Sequence, residues 1–357
     1  MNTENTIKGL ELKRPCSLFE VVGSQKYDGN HFIKFIGNSY SLPLVPPTLS
    51  RNVLFSGGIG TGKTNAICLV VDQILDHLSS QDTMIIFDSK GDFYKEFSSR
   101  KNISCACISC DNNSTVYWNM FKEAVSDLPA NATSDDVDNA LFELSSLLFG
   151  PMIDQDKTNP FFTLAAKNIF FAILKVLSEK YYIPTRNPDA VTNRMISEFS
   201  RLPAEELVRE FSRPSCIGVL NQFIDYLGKY NSKGDFEVSN QGAGVLASMR
   251  NCLLSIFRGN FAKDGDFSVR HFIRNHQFKV LFIEYDIRVG GILTPIYKTL
   301  MDFAIKEALA RHTASRNVFF VIDEYRLLPK LEYMDAGVNF GRALGVKFIV
   351  GIQNILP

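Results

Sequence analysis

The sequence predicts an α/β fold in which a mainly parallel, doubly wound sheet is interrupted by an inserted all-α domain. Short apolar runs alternate with amphipathic helical patterns near both ends of the 357-residue chain, as in a parallel sheet covered by helices on both faces. Between about residues 124 and 270, strand-like runs become scarce and helical spacing dominates. We therefore predict an N-terminal segment with short strands over 1–50, an α/β domain over 51–123 and 271–357, and an all-α domain over 124–270.

The predicted strands of the sheet are short apolar runs. In chain order they are Val53–Ser56, Met84–Phe87, Ile103–Ile108, Val280–Tyr285, Val318–Ile322 and Lys347–Ile352. Helical spacing of apolar residues predicts the helices Thr64–Leu78, Pro295–Arg311 and Asp335–Leu344 beside them. The helices predicted in the insert are Leu141–Phe149, Phe161–Glu179, Ala190–Phe199, Ala204–Ser212, Ile217–Tyr230 and Val245–Phe257. A further candidate strand, His31–Ile36, precedes the sheet.

Composition places few limits on the partners of the chain. Lys and Arg together number 38, as do Asp and Glu, so the formal net charge is zero. No global attraction to nucleic acid or to an anionic membrane follows, although a local basic patch is compatible with this sum. No run of about 18 apolar residues occurs, so we expect no transmembrane segment in this chain. Seven scattered cysteines favour a reducing, cytoplasmic location.

A glycine-rich loop follows the first apolar strand of the sheet and opens a helix. Its pattern, G-x-x-x-x-G-K-T, is met by Gly57, Gly62, Lys63 and Thr64. The backbone N–H groups of such a loop surround phosphate oxygens, the lysine contacts the β- and γ-phosphates, and the hydroxyl reaches Mg²⁺. We therefore predict that the cofactors are Mg²⁺ and ATP or a close relative. The residues predicted to bind them are Gly57, Gly58, Gly60, Thr61, Gly62, Lys63, Thr64 and Asn65.

Two carboxylates follow the apolar run Val318–Ile322, in the pattern of a Walker B element. Asp323 is predicted to bind Mg²⁺ together with Thr64, since carboxylate and hydroxyl oxygens suit this ion. Glu324 is predicted to act as the general base on the attacking water. An acidic turn after a strand is the plain alternative, but a phosphate loop in the same α/β domain favours the catalytic interpretation.

Further candidate motifs follow the phosphate loop along the chain. They lie in Ile85–Tyr94, Val116–Phe121, Asn159–Ala166, Gly244–Arg250 and Val318–Asn354. With the phosphate loop, these motifs resemble those of the type IV coupling proteins of conjugation and type IV secretion, which belong to the FtsK–HerA superfamily of motor ATPases. The resemblance covers about residues 50–357, with Met120 standing where the family has a proline. It implies a RecA-like P-loop NTPase fold.

The resemblance also implies roles for two residues beyond the Walker motifs. Arg342 lies 18 residues after Glu324, and Gln353 lies 29 residues after it. In the family the glutamine strand lies between the phosphate-loop and Walker B strands, so Gln353 would sense the γ-phosphate. Arg342 would be an arginine finger for a neighbouring subunit. The plain alternative for Gln353 is an ordinary polar residue at the end of a strand. The plain alternative for Arg342 is an exposed arginine on a helix. The implied catalytic set is Lys63, Glu324, Arg342 and Gln353.

The role of three charged residues after the second strand stays open. Asp88, Lys90 and Asp92 follow Met84–Phe87, at the carboxyl edge where ligands gather in open α/β sheets. Lys90 and Asp92 would contact nucleotide or DNA, or all three residues would form a charge cluster that orders the loop.

The function that the resemblance implies is an Mg²⁺-dependent ATPase driving DNA or nucleoprotein transfer as a hexameric ring. Its expected partners are DNA, further copies of the chain, and secretion-system or relaxase proteins. Those partners would hold it at the inner face of the membrane. A protein-secretion motor of the same superfamily and a nucleotide-gated regulatory module with little turnover are the alternatives. Because a predicted core strand ends just before Pro357, we expect that further strands are missing or that a partner completes the sheet.

Overall fold

The computed structural model describes residues 52–353 apart from 112, 157–159, 214–223, 225–226, 277, 311–315 and 329. Before them it describes two strands, β1 (Ile33–Ile36) and β2 (Ser41–Leu44), which pair antiparallel. Strand β1 confirms the candidate strand predicted at His31–Ile36. Apart from β1 and β2, the predicted N-terminal segment over 1–50 lies outside the described residues.

A six-stranded sheet forms the centre of the molecule, and every neighbouring pair of strands in it is parallel. Across the sheet its strands are Val53–Ser56 (β3), Val346–Ile352 (β10), Val318–Ile322 (β9), Thr83–Asp88 (β4), Val280–Glu284 (β8) and Cys105–Ile108 (β5). Each coincides with a strand predicted from an apolar run. The predicted mainly parallel, doubly wound sheet is therefore confirmed.

The sheet divides the hydrophobic core into two layers. Strands β4 and β9 are buried along their whole length, which explains why they appear in the sequence as continuous apolar runs. Side chains on one face pack with Ile67, Val70 and Val71 of the first helix. Those on the other face join a larger cluster that continues into the helical region.

The helices cover both faces of the sheet and fill the region between β5 and β8. In chain order, the helices whose bounds lie within the described residues are Lys63–Leu75 (α1), Asp92–Phe97 (α2), Met120–Val125 (α3), Ser134–Gln155 (α4), Phe161–Leu177 (α5), Asn193–Ser200 (α6), Ala204–Phe211 (α7), Asn240–Ile256 (α8), Val269–Asn275 (α9), Gly290–Leu309 (α10) and Met334–Phe340 (α11). A π-helical turn, Ser178–Tyr182, and a last turn, Ile183–Thr185, extend α5. The helix predicted to reach Leu344 ends at Phe340, and a 3₁₀ turn, Gly341–Leu344, continues it.

The inserted region is not entirely helical. In the helix predicted over Ile217–Tyr230, the described residues Ile224 and Leu227 are helical, but Gly228–Tyr230 forms a strand (β6) that pairs antiparallel with Phe236–Val238 (β7); residues 214–223 and 225–226 lie outside the described part. The turn between the strands explains the difference. The Asn231 side chain accepts hydrogen bonds from two backbone N–H groups of the turn, and Gly234 has φ +86°, which glycine adopts readily. The predicted domain boundaries at 124 and 270 stay a prediction.

Among the described helices, one has the length and composition of a membrane span, although the sequence contains no uninterrupted apolar run of that length. Within Phe161–Thr185 an 18-residue stretch reaches a mean hydropathy of 1.6, and 72% of that stretch is buried inside the protein. Helices α4 and α8 pack along it. Its buried Lys175 pairs with Asp138 and Glu179 at 2.8 and 3.2 Å. Its apolar composition is therefore explained by its position in the core of the helical region.

Helix α10 carries a fully buried carboxyl group, Asp302. One of its oxygens accepts the backbone N–H of Tyr333 at 3.2 Å, and the other has no hydrogen-bond partner among the described atoms. Burial raises the pKa of Asp302 to about 7, against the opposing effects of this hydrogen bond and of the Lys298 charge. The folded protein therefore holds this carboxyl group in its neutral form at mildly acidic pH.

Replacing Asp302 by asparagine is expected to flatten the pH dependence of stability. Because the folded pKa lies above the unfolded value, the stability from this group is full below the unfolded pKa and is lost as pH rises through about 7. At about 1.4 kcal/mol per pKa unit, the advantage of D302N over wild type should grow by roughly 2–3 kcal/mol between pH 5 and pH 8. Urea unfolding at both pH values measures it, and an advantage that stays constant would contradict the assignment.

Candidate active site

Residues that follow the carboxyl ends of neighbouring strands line one cleft of about 770 Å³. The phosphate loop follows β3, Gln353 follows β10, Asp323 and Glu324 follow β9, and Ser89 follows β4. The cleft is lined by the predicted residues Gly60, Thr61, Gly62, Lys63, Thr64, Asn65, Asp323, Glu324 and Gln353. Ser89, Tyr285, Ile287 and Arg326 also line it, and sequence reasoning did not identify them.

The phosphate loop adopts a closed turn before α1. Gly62 caps the helix with φ +83°, a conformation that favours glycine over residues with a Cβ atom. The Lys63 ammonium group donates to the carbonyl oxygens of Gly57 and Gly58 at 2.6 and 2.8 Å, and the Thr61 hydroxyl donates to Gly58 at 2.9 Å. These bonds hold the lysine across the loop, next to the first N–H groups of the helix, which form an anion-binding end.

A hydroxyl group and a carboxylate meet at the base of the cleft. The Thr64 Oγ1 donates to the two carboxylate oxygens of Asp323 at 3.1 and 3.3 Å, although the residues are 259 positions apart. Ser89 Oγ donates to the same carboxylate at 3.3 Å. Asp323 is only 5% exposed. Ser89 was missed because a serine after a strand has no local signature, and only its position beside β9 reveals the contact.

Glu324 lies next to Asp323 with one carboxylate oxygen buried and without a hydrogen-bond partner among the described atoms. Burial and the Asp323 charge raise its pKa, while Lys63 and a hydrogen bond with Gln353 oppose the shift. A carboxyl group with a raised pKa is a stronger base once it is ionised, which suits proton abstraction from water. The arrangement can therefore polarise a water molecule at this edge of the cleft.

Strand β10 brings Gln353 to the cleft, between the phosphate loop and Asp323. Ile349 pairs with Val53 of β3 on one side and with Val321 of β9 on the other, which is the strand order that the family resemblance implied. A side chain at Gly351 would collide with the carbonyl group of Asp323. Glycine at this position therefore allows the two strand ends to approach closely.

The structure separates Arg342 from the other predicted catalytic residues. Arg342 is exposed on the 3₁₀ turn Gly341–Leu344, and it does not line the cleft of its own chain. Arg326, which immediately follows the Walker B turn, is the arginine that does line it. The geometry within one chain is thus compatible with a role of Arg342 toward a second chain.

The charged residues after β4 divide into two groups. Asp88 is buried and accepts the backbone N–H groups of Lys90, Gly91 and Tyr94 at 3.3, 2.9 and 2.9 Å, so it orders the loop. Burial raises its pKa, and these three hydrogen bonds oppose the shift. Lys90 and Asp92 line the cleft instead. The loop-ordering alternative therefore describes Asp88, whereas Lys90 and Asp92 are placed where a ligand would meet them.

The chemistry of these groups fits a nucleotide with a magnesium ion. Hydroxyl and carboxylate oxygens, here those of Thr64 and Asp323, are the ligand types that Mg²⁺ prefers. The loop N–H groups and Lys63 offer donors to phosphate oxygens. The cleft volume of about 770 Å³ lies within the range of small-molecule sites, about 300–1,000 Å³. The unpartnered Glu324 oxygen provides an acceptor for a water molecule.

Solved structures of a bacterial conjugative coupling protein, TrwB, share this fold. Its TrwBdeltaN70 form, in a trigonal crystal with sulphate, is 20% identical with a TM-score of 0.62, and the match covers 87% of this chain and 65% of that one. TrwB in complex with ADP and Mg²⁺ is 19% identical with a TM-score of 0.62, and its match covers 87% and 66%. In complex with a non-hydrolysable GTP analogue it is 18% identical with a TM-score of 0.62, covering 92% and 75%.

The chain thus spans about 65% of the length of the first of these structures. No curated protein sequence matches it. The family model described as the type IV secretion-system coupling protein DNA-binding domain matches residues 38–356, which include the whole sheet and every residue of the cleft. The chain therefore belongs to the family of type IV secretion-system coupling proteins.

Proposed function

We propose that this protein is a Mg²⁺-dependent ATPase that drives DNA translocation. The observation that carries the ATPase assignment is the meeting of Thr64 and Asp323, 3.1 Å apart, beside Lys63 and Glu324 in one cleft. Lys63 and Thr64 come from the first part of the chain, and Asp323 and Glu324 come from its last part. Together these four groups suit phosphate binding, metal binding and water activation. An accidental glycine-rich turn would not bring them together.

Each group has a defined task in hydrolysis. Thr64 and Asp323 would hold the Mg²⁺ ion, with Ser89 fixing the Asp323 carboxylate. Lys63, released from the carbonyl groups of its loop, would contact the β- and γ-phosphates. Glu324 would accept the proton of the attacking water, and Gln353 would hydrogen-bond near the γ-phosphate. When bound, the ion supplies charge neutralisation for the phosphoryl oxygens.

DNA is the proposed cargo because the matching family model is that of a DNA-binding domain. Arg342, exposed outside the cleft of its own chain, would reach the cleft of a neighbouring copy. Such head-to-tail contacts generate a closed ring when the rotation between copies closes, and we propose a hexamer. A position at the cytoplasmic face of the membrane, held by secretion-system or relaxase partners, completes the proposal.

Steady-state ATPase measurements on the assembled protein, with and without DNA, test this function. We expect single- or double-stranded DNA to increase turnover and gel filtration with ATP and DNA to show a ring-sized species. An assembled protein whose turnover responds to no DNA would reject DNA as the cargo. Stimulation by a secreted polypeptide alone would then identify a protein-secretion motor, and ATP binding with negligible turnover would identify a nucleotide-gated module.

A further inference from the structure

One segment of the chain connects Glu324, the proposed general base, to Arg342, the proposed arginine finger. It runs from Glu324 through a 3₁₀ turn, Tyr325–Leu327, and α11 to the turn that carries Arg342. Tyr333 lies nine residues after Glu324 and nine before Arg342. Tyr333 thus lies midway along the chain between the proposed general base and the proposed arginine finger.

The sheet side of this segment is fixed by backbone contacts. The Tyr333 N–H donates to the buried Asp302 of α10 at 3.2 Å, and the Gly337 N–H donates to the Tyr333 carbonyl at 2.9 Å. A Cβ atom at Gly337 would crowd Phe348 of β10 and Ile305 of α10. The first turn of α11 is thus seated closely on the sheet and on α10.

The other side of the segment is held by the inserted helical region. The Tyr333 hydroxyl donates to Glu143 of α4 at 2.5 Å. Lys306 of α10 donates to both oxygens of the same carboxylate at 2.6 Å, and its ammonium group lies 5.6 Å from the Tyr333 ring centre. Glu143 therefore connects three elements through one carboxylate.

The contact is well suited to transmit a displacement. The Glu143 and Lys306 side chains are only 22% and 34% exposed, and hydrogen bonds to an ionised group are shorter and stronger than neutral ones. A second link between the helical region and the segment, Lys330 with Asp154 at 3.5 Å, is 78% and 56% exposed. Exposed pairs of that kind contribute little, so it serves as a matched control.

We infer that Tyr333 and Glu143 are positioning residues that couple the inserted helical region to ATP hydrolysis. This inference rests on the ATPase function proposed above. A change in the helical region that moves α4 shifts Glu143, and with it the segment that places Glu324 and Arg342. Neither residue lines the nucleotide cleft, so their effect falls on turnover and not on nucleotide affinity.

Turnover kinetics of the full chain test the coupling. The variants Y333F and E143A are each expected to lower kcat by roughly three- to ten-fold through misplacement of the catalytic groups, with KM and nucleotide affinity unchanged. The double variant should be no slower than the slower single one, because both remove the same contact. E143Q keeps an acceptor for the Tyr333 hydroxyl and should retain more activity than E143A. K330A should behave as wild type.

Hydrogen exchange provides a readout that does not depend on turnover. Addition of ADP and Mg²⁺ should change amide exchange in wild type both around Met334–Phe340 and along Ser134–Gln155. In Y333F the nucleotide should still change amide exchange around Met334–Phe340 but should no longer change it along Ser134–Gln155. Because this measurement needs only nucleotide binding, its result stands even if DNA does not stimulate the protein and the proposed cargo is wrong.

Three results would overturn the inference. The first is wild-type kcat in Y333F and E143A, and the second is additive losses in the double variant. The third is a nucleotide-induced exchange change in Ser134–Gln155 that persists in Y333F. Thermal unfolding of each variant separates misplacement from unfolding, since a loss of activity that follows the fall in Tm and that E143Q does not relieve would indicate a merely structural role.

Discussion

Replacing Arg342 by alanine should lower kcat by about 10³–10⁵-fold, the range found for arginine fingers in well-studied systems, while nucleotide affinity of the isolated subunit stays unchanged. The reason is its position. Arg342 is exposed and lies outside the cleft of its own chain, so we propose that it acts on the nucleotide of another copy. Turnover of the assembled protein and nucleotide binding to the dilute subunit measure the two effects separately.

Mixing variants distinguishes an action between copies from an indirect effect. K63A subunits have a defective nucleotide cleft but keep Arg342. R342A subunits keep an intact nucleotide cleft but lack the arginine. A mixture should recover part of the activity, because an R342A cleft then meets the arginine of a K63A neighbour. R209A, which removes an exposed arginine in the helical region, is the control and should be fully active. Lost nucleotide binding in isolated R342A, or no recovery on mixing, would argue against this role.

Replacing Glu324 by glutamine should reduce kcat by about 10²–10⁴-fold, the contribution typical of a positioned general base, with ATP binding preserved. Glutamine keeps the shape of the side chain but cannot accept the proton of the attacking water. Because burial and Asp323 raise the pKa of Glu324, wild-type turnover should fall as the pH drops through a value above that of an ordinary glutamate. Single-turnover hydrolysis across pH, beside equilibrium binding, checks both statements.

The result that would count against Glu324 is equal turnover of wild type and E324Q. In that case the carboxylate has no catalytic role, and the nucleotide-gated module becomes the better description. The conservative E324D variant helps to interpret a loss, because it keeps the base on a shorter side chain. A partial activity of E324D with a shifted pH dependence is expected if the carboxylate handles the proton.

The sheet was predictable because its central strands β4 and β9 are buried on both faces and its strands are bounded by chemically distinct residues. Strand β9, for example, is an unbroken apolar run that ends at Asp323, and its limits agree with the structure. The cleft residues were predictable for a related reason. The phosphate loop and the two carboxylates directly follow strands, and the carboxyl ends of parallel strands meet at one edge.

The features that sequence reasoning missed depend on contacts between distant parts of the chain. Ser89 reaches Asp323 across 234 positions, and Tyr333 reaches Glu143 across 190, and neither contact leaves a local pattern. The helix predicted over Ile217–Tyr230 was wrong at its end, because the turn from Asn231 to Gly234 pairs Gly228–Tyr230 with Phe236–Val238 as a hairpin.

Displacement of a third strand from triplex DNA tests translocation most directly. The assembled wild-type protein, given ATP and Mg²⁺, should release the third strand from a duplex that carries a loading tail, and the time to release should increase with the length of duplex. E324Q should bind the same DNA without releasing the strand. ATP hydrolysis by the wild-type ring on this DNA without any strand release would contradict the proposal that hydrolysis drives movement along DNA.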